Sequence, residues 1–304
     1  MDNIQLSICV TTYNRWPSVL LTLTSLVGIK NTSVEIIVVD DCSSSAPPEE
    51  FTELIKNHSI QFIRHSENKG LAAARNTAIK VAEGKYFTFC DDDDQWHPDA
   101  IELVLSSIEK NAPEMLIAQS GDLKTIIYPE EVKNLQDLFL LGVTPPVGSQ
   151  VYLLSLIKSV GGYCENIKSG VDHDLWIRIV IKKNIEVRIF FGLIAIPNTN
   201  NDLDRMTLNV RRRMEGINRS LRIWKDDLVN TFGIDFYKHF ANEYRYHIKK
   251  KFFLSAIKRN DLSYLLSDMK YIVFEFGFYR HFLELLGLKK KVSSFRPFKG
   301  VLND

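Results

Sequence analysis

Short apolar runs alternate with amphipathic stretches of helical period from Gln5 onward. Each apolar run has the length of a strand, and each following stretch is long enough for a helix of several turns. Successive strand and helix units of this kind build a mainly parallel sheet with helices on its faces. The sequence therefore predicts an α/β fold, and the first third of the chain carries the clearest pattern.

The predicted elements are separated by turn and cap residues. The predicted strands are residues 6–11, 34–39, 61–64, 86–89 and 115–119, and the predicted helices are residues 18–27, 49–56, 71–83, 99–110 and 172–182. Pro17 suits the first turn of a helix, where a missing N–H costs little. Gly84 is predicted to close the third helix in a left-handed conformation. Residues 144–150 are predicted to form a loop.

The last hundred residues are predicted to be mainly helical, with one helix over residues 236–257. Residues 271–288 are rich in aromatic and aliphatic side chains, but Glu275, Arg280 and Glu284 interrupt them. The stretch therefore falls short of the roughly 20 apolar residues that a spanning helix needs. We predict an interfacial or core helix there. We therefore divide the chain into an α/β domain over residues 1–204 and a helical region over residues 205–304.

The net charge of +1 conceals two halves of opposite sign. Residues 1–200 contain 17 Lys and Arg against 25 Asp and Glu, a balance of −8, and residues 201–304 contain 21 against 12, a balance of +9. A basic, aromatic region of this kind suits an anionic membrane surface. No RNP motif or zinc finger accompanies it, so nucleic acid is not the expected partner. A solvated helix face or a dimer contact is the alternative.

The N-terminus and the cysteines indicate a reducing compartment. No basic segment precedes an apolar one near Met1, so we expect no secretory signal. Cys9, Cys42, Cys90 and Cys164 are widely spaced and form no CxxC pair, which favours reduced thiols over disulfides or zinc. We expect a cytoplasmic protein, with the inner face of the cytoplasmic membrane as its site of peripheral attachment.

Polar residues follow three of the predicted strands directly. In open α/β sheets, ligands bind in the crevice beyond the carboxyl ends of the strands. The strand ends are Thr11 to Arg15, Asp40 to Ser43, and Asp91 to Trp96. We expect these three segments to converge on one crevice.

The four consecutive carboxylates Asp91, Asp92, Asp93 and Asp94 would repel one another in a dry site. A divalent cation would compensate this repulsion, and hard oxygen ligands suit Mg²⁺ or Mn²⁺. An acidic capping loop in water is the alternative.

The other strand-end residues have polar or stacking chemistry that suits a nucleotide. Asp40 can accept a hydrogen bond from a base or a ribose, and Tyr13 can lie against a base. Arg15 and Arg75 can meet phosphate charge. Turn, cap and packing roles remain open for each of them.

These motifs together resemble those of the family 2 glycosyltransferases, which have the GT-A fold. The matching segments, in chain order, are Thr12 to Arg15 (TYNR), Val38 to Ser43 (VVDDCS), Glu67 to Asn76 (ENKGLAAARN) and Asp91 to Pro98 (DDDDQWHP). A later family element is similar to Gly161, Gly162 and Tyr163 followed by Asp172, Leu175, Trp176 and Arg178. The resemblance covers roughly residues 5–180.

The resemblance implies a role for each matching residue. The residues implied around the donor are Thr11, Tyr13, Arg15, Asp40, Arg75 and Asp92. Asp91 and Asp93 would hold Mn²⁺ or Mg²⁺, with Asp93 closest to the ion. Asp172 would be the general base for an acceptor hydroxyl, and the metal would stabilise the leaving diphosphate. The family transfers sugars with inversion, most often from UDP.

The sequence departs from the family pattern in two places. Val171 stands where the family usually has Glu, which makes Asp174 a competing candidate for the base. Relatives also use a late histidine as a metal ligand, whereas Asn200, Asp202 and Asp204 are the polar residues here. The third metal ligand therefore stays open.

The expected activity is sugar transfer from a UDP-sugar to a lipid-linked or growing glycan in cell-surface polysaccharide synthesis. A metal-dependent nucleotidyltransferase is one alternative, although residues 11–17 lack the glycines of a phosphate loop. A non-catalytic membrane-associated binding protein is the other.

Overall fold

The computed structural model describes most of the first 200 residues and two long helices after them. The described residues are 4–28, 32–119, 134–140, 145, 147–167, 170–182, 185–191, 195–197 and 210–258. Contacts divide the chain into two compact units, one made of Met1–Phe139 and Val143–Asn200, the other of Leu140–Gly142 and Asn201–Asp304. The predicted boundary at residue 204 stays a prediction.

The first unit alternates strands and helices. Its strands are β1 (Leu6–Thr12), β2 (Val34–Asp40), β3 (Gln61–Arg64), β4 (Tyr86–Asp91), β5 (Asp94–Trp96), β6 (Met115–Gln119), β7 (Gln150–Leu153), β8 (Val187–Phe191) and β9 (Ala195–Pro197). Its helices are α1 (Trp16–Val27), α2 (Glu49–Asn57), α3 (Leu71–Val81), α4 (Ala100–Asn111), α5 (Leu135–Leu140), α6 (Leu154–Ser159) and α7 (Val171–Lys182), with a short 3-10 helix at Val147–Ser149.

Seven of these strands form one sheet in the order β3-β2-β1-β4-β7-β6-β8, and β5 pairs with β9 in a separate ribbon. The strands β1 to β4 are parallel to one another, and β7 runs antiparallel to both β4 and β6. Helices flank the sheet, which confirms the predicted α/β class with a mainly parallel sheet. The carboxyl ends of β1, β2, β3 and β4 consequently meet at one edge.

The strand register sets which site residues are neighbours. Thr11 is the partner of Asp91 across β1 and β4, and Thr12 is the partner of Asp40 across β1 and β2. Asp40 is in turn paired with Arg64 at the end of β3. The convergence of the strand ends therefore follows from pairing and does not depend on loop conformation.

Buried aliphatic residues fix this register. Leu6, Ile8 and Val10 of β1 are fully buried, and α1 packs Val19 and Leu23 into the same core. A slip of one residue would turn Leu6, Ile8 and Val10 to the opposite face of the sheet. The burial of these side chains therefore specifies the strand register.

The element predictions succeed best where the hydrophobic period is clear. The predicted strands at 61–64 and 115–119 coincide with β3 and β6, and the other predicted strands and helices of the first unit end within two residues of the observed bounds. The prediction of a loop over residues 144–150 missed β7, which starts at Gln150. The short elements β5, α5, α6, β8 and β9 were also missed, because three to six residues carry too little period to read.

The prediction for Gly84 was wrong. The helix α3 ends at Val81, its cap Ala82 is extended, and Gly84 is not among the glycines with positive φ. Gly84 instead lies against β1, where an added Cβ would be 2.5 Å from the Ser7 hydroxyl oxygen and 2.6 Å from the Ser7 nitrogen. A close backbone approach explains this glycine.

The cysteines are free thiols, as predicted. Cys9 and Cys90 are buried in β1 and β4, and Cys42 and Cys164 are partly buried. Burial raises the pKa of Cys9 to about 12.

The second unit contains two long helices, α8 (Val210–Phe232) and α9 (Ile234–Lys258), which agrees with the predicted helical region. Gly233, with φ of 89°, joins them. Trp224 of α8 is 1% exposed and packs edge-on against Tyr244 of α9 at 5.9 Å between ring centroids. None of the helices in the described ranges is long and apolar enough to cross a membrane. The predicted interfacial stretch at 271–288 lies outside the described residues.

Candidate active site

Two arginines neutralise the acidic cluster that follows β4. Arg15 places Nη1 2.6 Å from Asp92 Oδ1 and Nη2 2.8 Å from Asp93 Oδ2. Arg75 places Nη2 3.0 Å from Asp91 Oδ1. The repulsion that the sequence attributes to four adjacent carboxylates is thus already offset by side chains of the chain itself, because the sheet brings α1 and α3 against the end of β4.

Asp92 is the most enclosed member of this cluster. Its Oδ2 accepts a hydrogen bond of 2.8 Å from the Thr12 hydroxyl, and 7% of its side chain is exposed. Burial raises the pKa of Asp92 to about 6, although Arg15 and Thr12 oppose the rise. Asp92 therefore joins β1 to the acidic loop.

Asp91 faces the opening of the crevice more than its neighbours do. Its side chain is 46% exposed, against 19% for Asp93. Desolvation by the crevice walls raises the pKa of Asp91, and Arg75 opposes this rise. Asp91 is consequently more accessible to an incoming ligand than Asp92 or Asp93.

Arg75 links the acidic cluster to the start of α7. Its side chain is 2% exposed, and Nη1 bonds to the Asp172 carboxylate while Nη2 bonds to Asp91. The guanidinium lies 4.8 Å from the ring centre of Phe89 and 5.2 Å from that of Tyr163. Burial disfavours its charge, but Asp172, Tyr163, Asp91 and Cys9 together outweigh this and raise the pKa of Arg75 above its ordinary value.

Asp172 and Asp174 have different environments although they are two residues apart on α7. Asp172 is 28% exposed and bonds to Arg75 at the crevice. Asp174 is fully buried and pairs with Arg178, whose Nε and Nη2 lie 2.9 and 2.6 Å from Asp174 Oδ2. Two residues turn a helix by about 200°, so the pair points to opposite sides.

The candidate nucleoside residues lie at the ends of β1 and β2. Asp40 is buried, and its Oδ1 accepts hydrogen bonds from the Ser43 nitrogen at 3.0 Å and the Ser43 hydroxyl at 2.5 Å. Its Oδ2 lies 3.2 Å from Arg64 Nε but accepts no hydrogen bond from the described residues. Tyr13 is 46% exposed and Thr11 is partly buried. This corner combines an exposed ring with a buried acceptor.

Two loops around this corner are pinned to each other. Asn14, with φ of 57°, accepts hydrogen bonds from the nitrogen and the hydroxyl of Ser44 at 2.7 and 2.9 Å. The Asn14 nitrogen donates to the Ser43 hydroxyl at 2.7 Å. Cys42 also has a positive φ, of 65°. The left-handed conformation of Asn14 and Cys42 costs free energy, and these hydrogen bonds offset that cost by holding the backbone of both loops.

Asp41 has a structural role that the sequence did not reveal. Its carboxylate accepts hydrogen bonds from the backbone nitrogens of Lys69 and Gly70 at 2.9 and 2.7 Å and contacts His65 Nδ1 at 2.8 Å. Gly70 is the N-cap of α3. Asp41 therefore anchors the residues that lead into α3, the helix that carries Arg75. The Asp pair at the end of β2 was the sequence signal for this role.

The segment before α7 is held from two sides. Asn76 of α3 accepts a hydrogen bond from the Tyr163 nitrogen at 2.8 Å and donates one to its carbonyl oxygen at 3.0 Å. Arg178 of α7 donates to the carbonyl oxygens of Val160 and Gly162 at 2.7 and 2.6 Å. The glycine pair and Tyr163, which the sequence marks as a motif, thus connect α3 to α7 through hydrogen bonds.

The chemistry of the acidic cluster fits a divalent cation. Carboxylate oxygens are hard ligands, and Mg²⁺ is usually held by one or two carboxylates together with substrate oxygens and water. Within the ranges that the structure describes, no group of three or more His, Cys, Asp and Glu side chains could hold a metal by itself. Asp91 and Asp93 are accessible enough to serve as a partial ligand set. Asn200, Asp202 and Asp204 lie outside the described residues.

The structure thus brings the predicted site residues to one edge of the sheet. Thr11, Asp40, Arg75, Asp91, Asp92, Asp93 and Asp172 are joined by strand pairing or direct bonds, and Arg15 and Tyr13 follow β1. In the described contacts, Arg15 and Arg75 bind carboxylates of the chain, so their predicted contact with donor phosphate stays a prediction. Thr12, Asp41, Arg64 and Tyr163 are the additional participants.

Two solved structures share this fold. Staphylococcus aureus TarS 1-349 in complex with UDP-GlcNAc aligns with a TM-score of 0.58 and 17% identity, covering 84% of this chain and 73% of the TarS 1-349 chain. The mannosyltransferase PcManGT from Pyrobaculum calidifontis, in complex with GDP-Man and Mn²⁺, aligns with a TM-score of 0.56 and 16% identity, covering 89% of this chain and 81% of PcManGT. The fold is the GT-A type of the glycosyltransferases.

The sequence comparison adds a match to a family model. Residues 7–123 match the family described as Glycosyl transferase family 2. The amylovoran biosynthesis glycosyltransferase AmsB of Erwinia amylovora is 30% identical over 210 residues, which cover 67% of this chain and 64% of AmsB. An uncharacterized glycosyltransferase of Rickettsia felis is 28% identical over 193 residues, 61% of this chain, and this chain spans 32% of that relative. The family resemblance is confirmed.

Proposed function

We propose that this chain is an inverting glycosyltransferase that moves a sugar from a UDP-sugar to an acceptor hydroxyl. The observation that carries the proposal is that Asp91 and Asp172 bond to one buried guanidinium and are both partly exposed at one crevice. Displacement at an anomeric carbon needs stabilisation of the leaving diphosphate and a base for the attacking hydroxyl. Asp91 from β4 and Asp172 from α7 are suited to these two tasks.

The donor nucleotide would occupy the corner between β1 and β2. The exposed ring of Tyr13 offers a stacking surface, and Asp40 offers a buried acceptor for a base N–H. Thr11 adjoins Asp91 in the sheet and would lie beneath the donor. The UDP-GlcNAc complex of TarS supports the choice of a uridine nucleotide for this fold.

The diphosphate would lie over the acidic loop. Asp91 and Asp93 would hold Mn²⁺ or Mg²⁺ together with phosphate oxygens, and Arg15 and Asp92 would line the donor side. The bound ion would supply Lewis-acid stabilisation of the charge on the departing nucleotide. The Mn²⁺ in the PcManGT complex supports this assignment.

Asp172 would take the proton of the acceptor hydroxyl. As the acceptor oxygen bonds to the anomeric carbon, the bond from that carbon to the diphosphate oxygen breaks on the opposite side, which inverts the configuration. Asp174 is buried and committed to Arg178, so it is a poor candidate for the same role. Only a carboxylate open to the crevice can reach an acceptor.

The acceptor that we propose is a lipid-linked or growing glycan in cell-surface polysaccharide synthesis. AmsB, a glycosyltransferase of amylovoran biosynthesis, supports this class of acceptor. Residues 1–204 would form the catalytic domain. The basic, aromatic residues 205–304, with a balance of +9, would bring it to the inner face of the membrane.

Donor hydrolysis tests the proposed activity without knowledge of the acceptor. Full-length protein would be incubated with UDP-glucose, UDP-galactose or UDP-GlcNAc, with Mn²⁺ or with chelator, and released UDP would be measured. We expect Mn²⁺-dependent UDP release from at least one donor, and loss of that release in Asp91→Asn. No release from these donors or from their GDP counterparts, with acceptor glycolipid extract added, would contradict the proposal. Release of sugar 1-phosphate in place of UDP would indicate nucleotidyl transfer instead.

A further inference from the structure

Arg75 is buried, whereas its two carboxylate partners are accessible. Its side chain is 2% exposed, whereas Asp91 and Asp172 are 46% and 28% exposed. A buried cation is costly unless it is paired and hydrogen-bonded. The pairing with both carboxylates offsets that cost. Arg75 is therefore held by Asp91 and Asp172 together.

The walls around Arg75 hold its plane in one orientation. Phe89 lies two residues before Asp91 on β4, and Tyr163 lies in the segment that leads to α7. The two rings meet edge to face at 5.2 Å between centroids, and the guanidinium lies over both. Asp41 anchors the residues that lead into α3, and Asn76 joins α3 to Tyr163. Phe89 thus belongs to β4, which also carries Asp91, and Tyr163 lies in the segment that leads to α7, which carries Asp172.

The two ends of the guanidinium fork are already engaged. Nη2 bonds to Asp91, and Nη1 bonds to Asp172 and lies 3.4 Å from the Tyr163 hydroxyl. Because only 2% of the Arg75 side chain is exposed, a donor phosphate could reach the guanidinium only if these contacts opened. Arg15 differs because its side chain is 39% exposed on the same acidic cluster.

We infer that Arg75 is a positioning residue that sets the Asp172 carboxylate relative to Asp91, and that it does not bind the donor diphosphate. The inference rests on the proposed function, because it assigns the two carboxylates to the acceptor and donor sides. A planar fork that bonds two groups at a fixed separation cannot be reproduced by the single ammonium of lysine. Loss of the fork should therefore misplace the base and leave the donor site intact.

The test compares Arg75→Lys with Arg15→Lys in the full chain. UDP affinity would be measured by calorimetry with Mn²⁺, and kcat would be measured on the UDP-sugar that the native chain turns over. Arg75→Lys is expected to keep Kd for UDP within about threefold and to lower kcat by about 100-fold, since a misplacement of about 1 Å has that effect. Arg15→Lys is expected to raise Kd for UDP by about tenfold. A tenfold rise in Kd for Arg75→Lys with kcat retained would overturn the inference.

A second variant covers the case in which Arg75→Lys does not fold. Tyr163→Leu removes one wall of the Arg75 site and leaves every charge in place, so kcat should fall while Kd for UDP is kept. Phe51→Leu is the matched control, because Phe51 is equally buried but packs on Trp16 and Phe62 at the other side of the core. Equal losses of kcat in Tyr163→Leu and Phe51→Leu would reduce the effect to general destabilisation and overturn the inference.

Failure of the proposed function and failure of the proposed role of Arg75 give different results. A native chain that binds neither UDP nor GDP and releases neither would remove the proposed function. A native chain that binds UDP and turns over a donor, with Arg75→Lys losing UDP affinity in proportion to kcat, would remove only the role of Arg75.

Discussion

Asp172 and Asp174 illustrate how neighbouring residues of the same type acquire different tasks. Both lie in the first turn of α7, where a carboxylate also interacts favourably with the helix N-terminus. Asp174 is buried against Arg178, while Asp172 opens to the crevice beside Arg75. The sequence leaves both as candidates for the base, and the fold separates them by direction and by partner.

This separation predicts different defects for the two asparagine variants. Asp172→Asn should lower kcat by roughly 100-fold to 10,000-fold, as removal of a general base does, and should keep UDP affinity. Asp174→Asn should lower the free energy of unfolding by about 3 kcal/mol, because Arg178 loses a buried partner. Steady-state kinetics and urea denaturation measure the two effects. An Asp174→Asn protein of native stability that has lost turnover would make Asp174 the better base.

At the scale of elements, the close approach of Gly84 to β1 is a constraint that no periodicity contains. Gly84 donates from its backbone nitrogen to the Ser7 hydroxyl at 2.9 Å and to the Glu35 carboxylate at 3.0 Å. A methyl group there would meet the backbone of β1 at Leu6 and Ser7 as well as the Ser7 hydroxyl oxygen. The turn before β4 is therefore packed directly on the sheet that supports the site.

Gly84→Ala should consequently destabilise the chain by about 2 kcal/mol, as overpacking in a core does. Gly28→Ala is the matched control, because Gly28 has a helical φ of −60° and an added Cβ would meet nothing closer than 3.6 Å. That control should be neutral or slightly stabilising. Chemical denaturation measures both, and equal stability of the two variants would refute the close-approach account.

The sequence predicted the elements and the strand-end residues well because both follow from simple local rules. Strands β1 to β4 have strong apolar runs, and the carboxyl ends of parallel strands always meet. The partners of those residues could not be read in the same way. That Arg75 bonds to Asp172, 97 positions later, depends on how α3 and α7 pack on the sheet.

The same limit explains the prediction that a cation compensates the acidic cluster. Charge counting along residues 91–94 shows no basic neighbour, yet Arg15 and Arg75 arrive from the helices after β1 and β3. Tyr163 and Asp41 lie within motifs that the sequence marked, so their involvement could be suspected. Their bonds to α3 could not, because side-chain hydrogen bonds across elements leave no periodic signal.

At the scale of the whole molecule, the charge division between the two halves supports a division of labour. Residues 1–200 have a charge balance of −8, which an anionic membrane surface repels. Residues 201–304 have a balance of +9, which such a surface attracts. An anionic surface attracts basic residues by about 1 kcal/mol each when they lie near it. We therefore expect the C-terminal region to determine membrane attachment.

Vesicle sedimentation tests this expectation. Full-length protein should bind vesicles that contain phosphatidylglycerol, and binding should fall with added salt because the attraction is screened. A chain truncated after residue 204, or a full chain with Lys249, Lys250 and Lys251 changed to Gln, should bind less. Equal partition of the native and the truncated chain would contradict membrane attachment through this region.

The central claim is that the strand-end crevice binds a nucleotide diphosphate through a metal held by the acidic loop. Calorimetric titration of UDP, with and without Mn²⁺, into the native chain and into Asp93→Ala tests it most directly. We expect UDP binding that strengthens at least tenfold with Mn²⁺ in the native chain, and Asp93→Ala should lose that gain. UDP binding of equal strength with and without Mn²⁺, or the same gain in Asp93→Ala, would contradict the account.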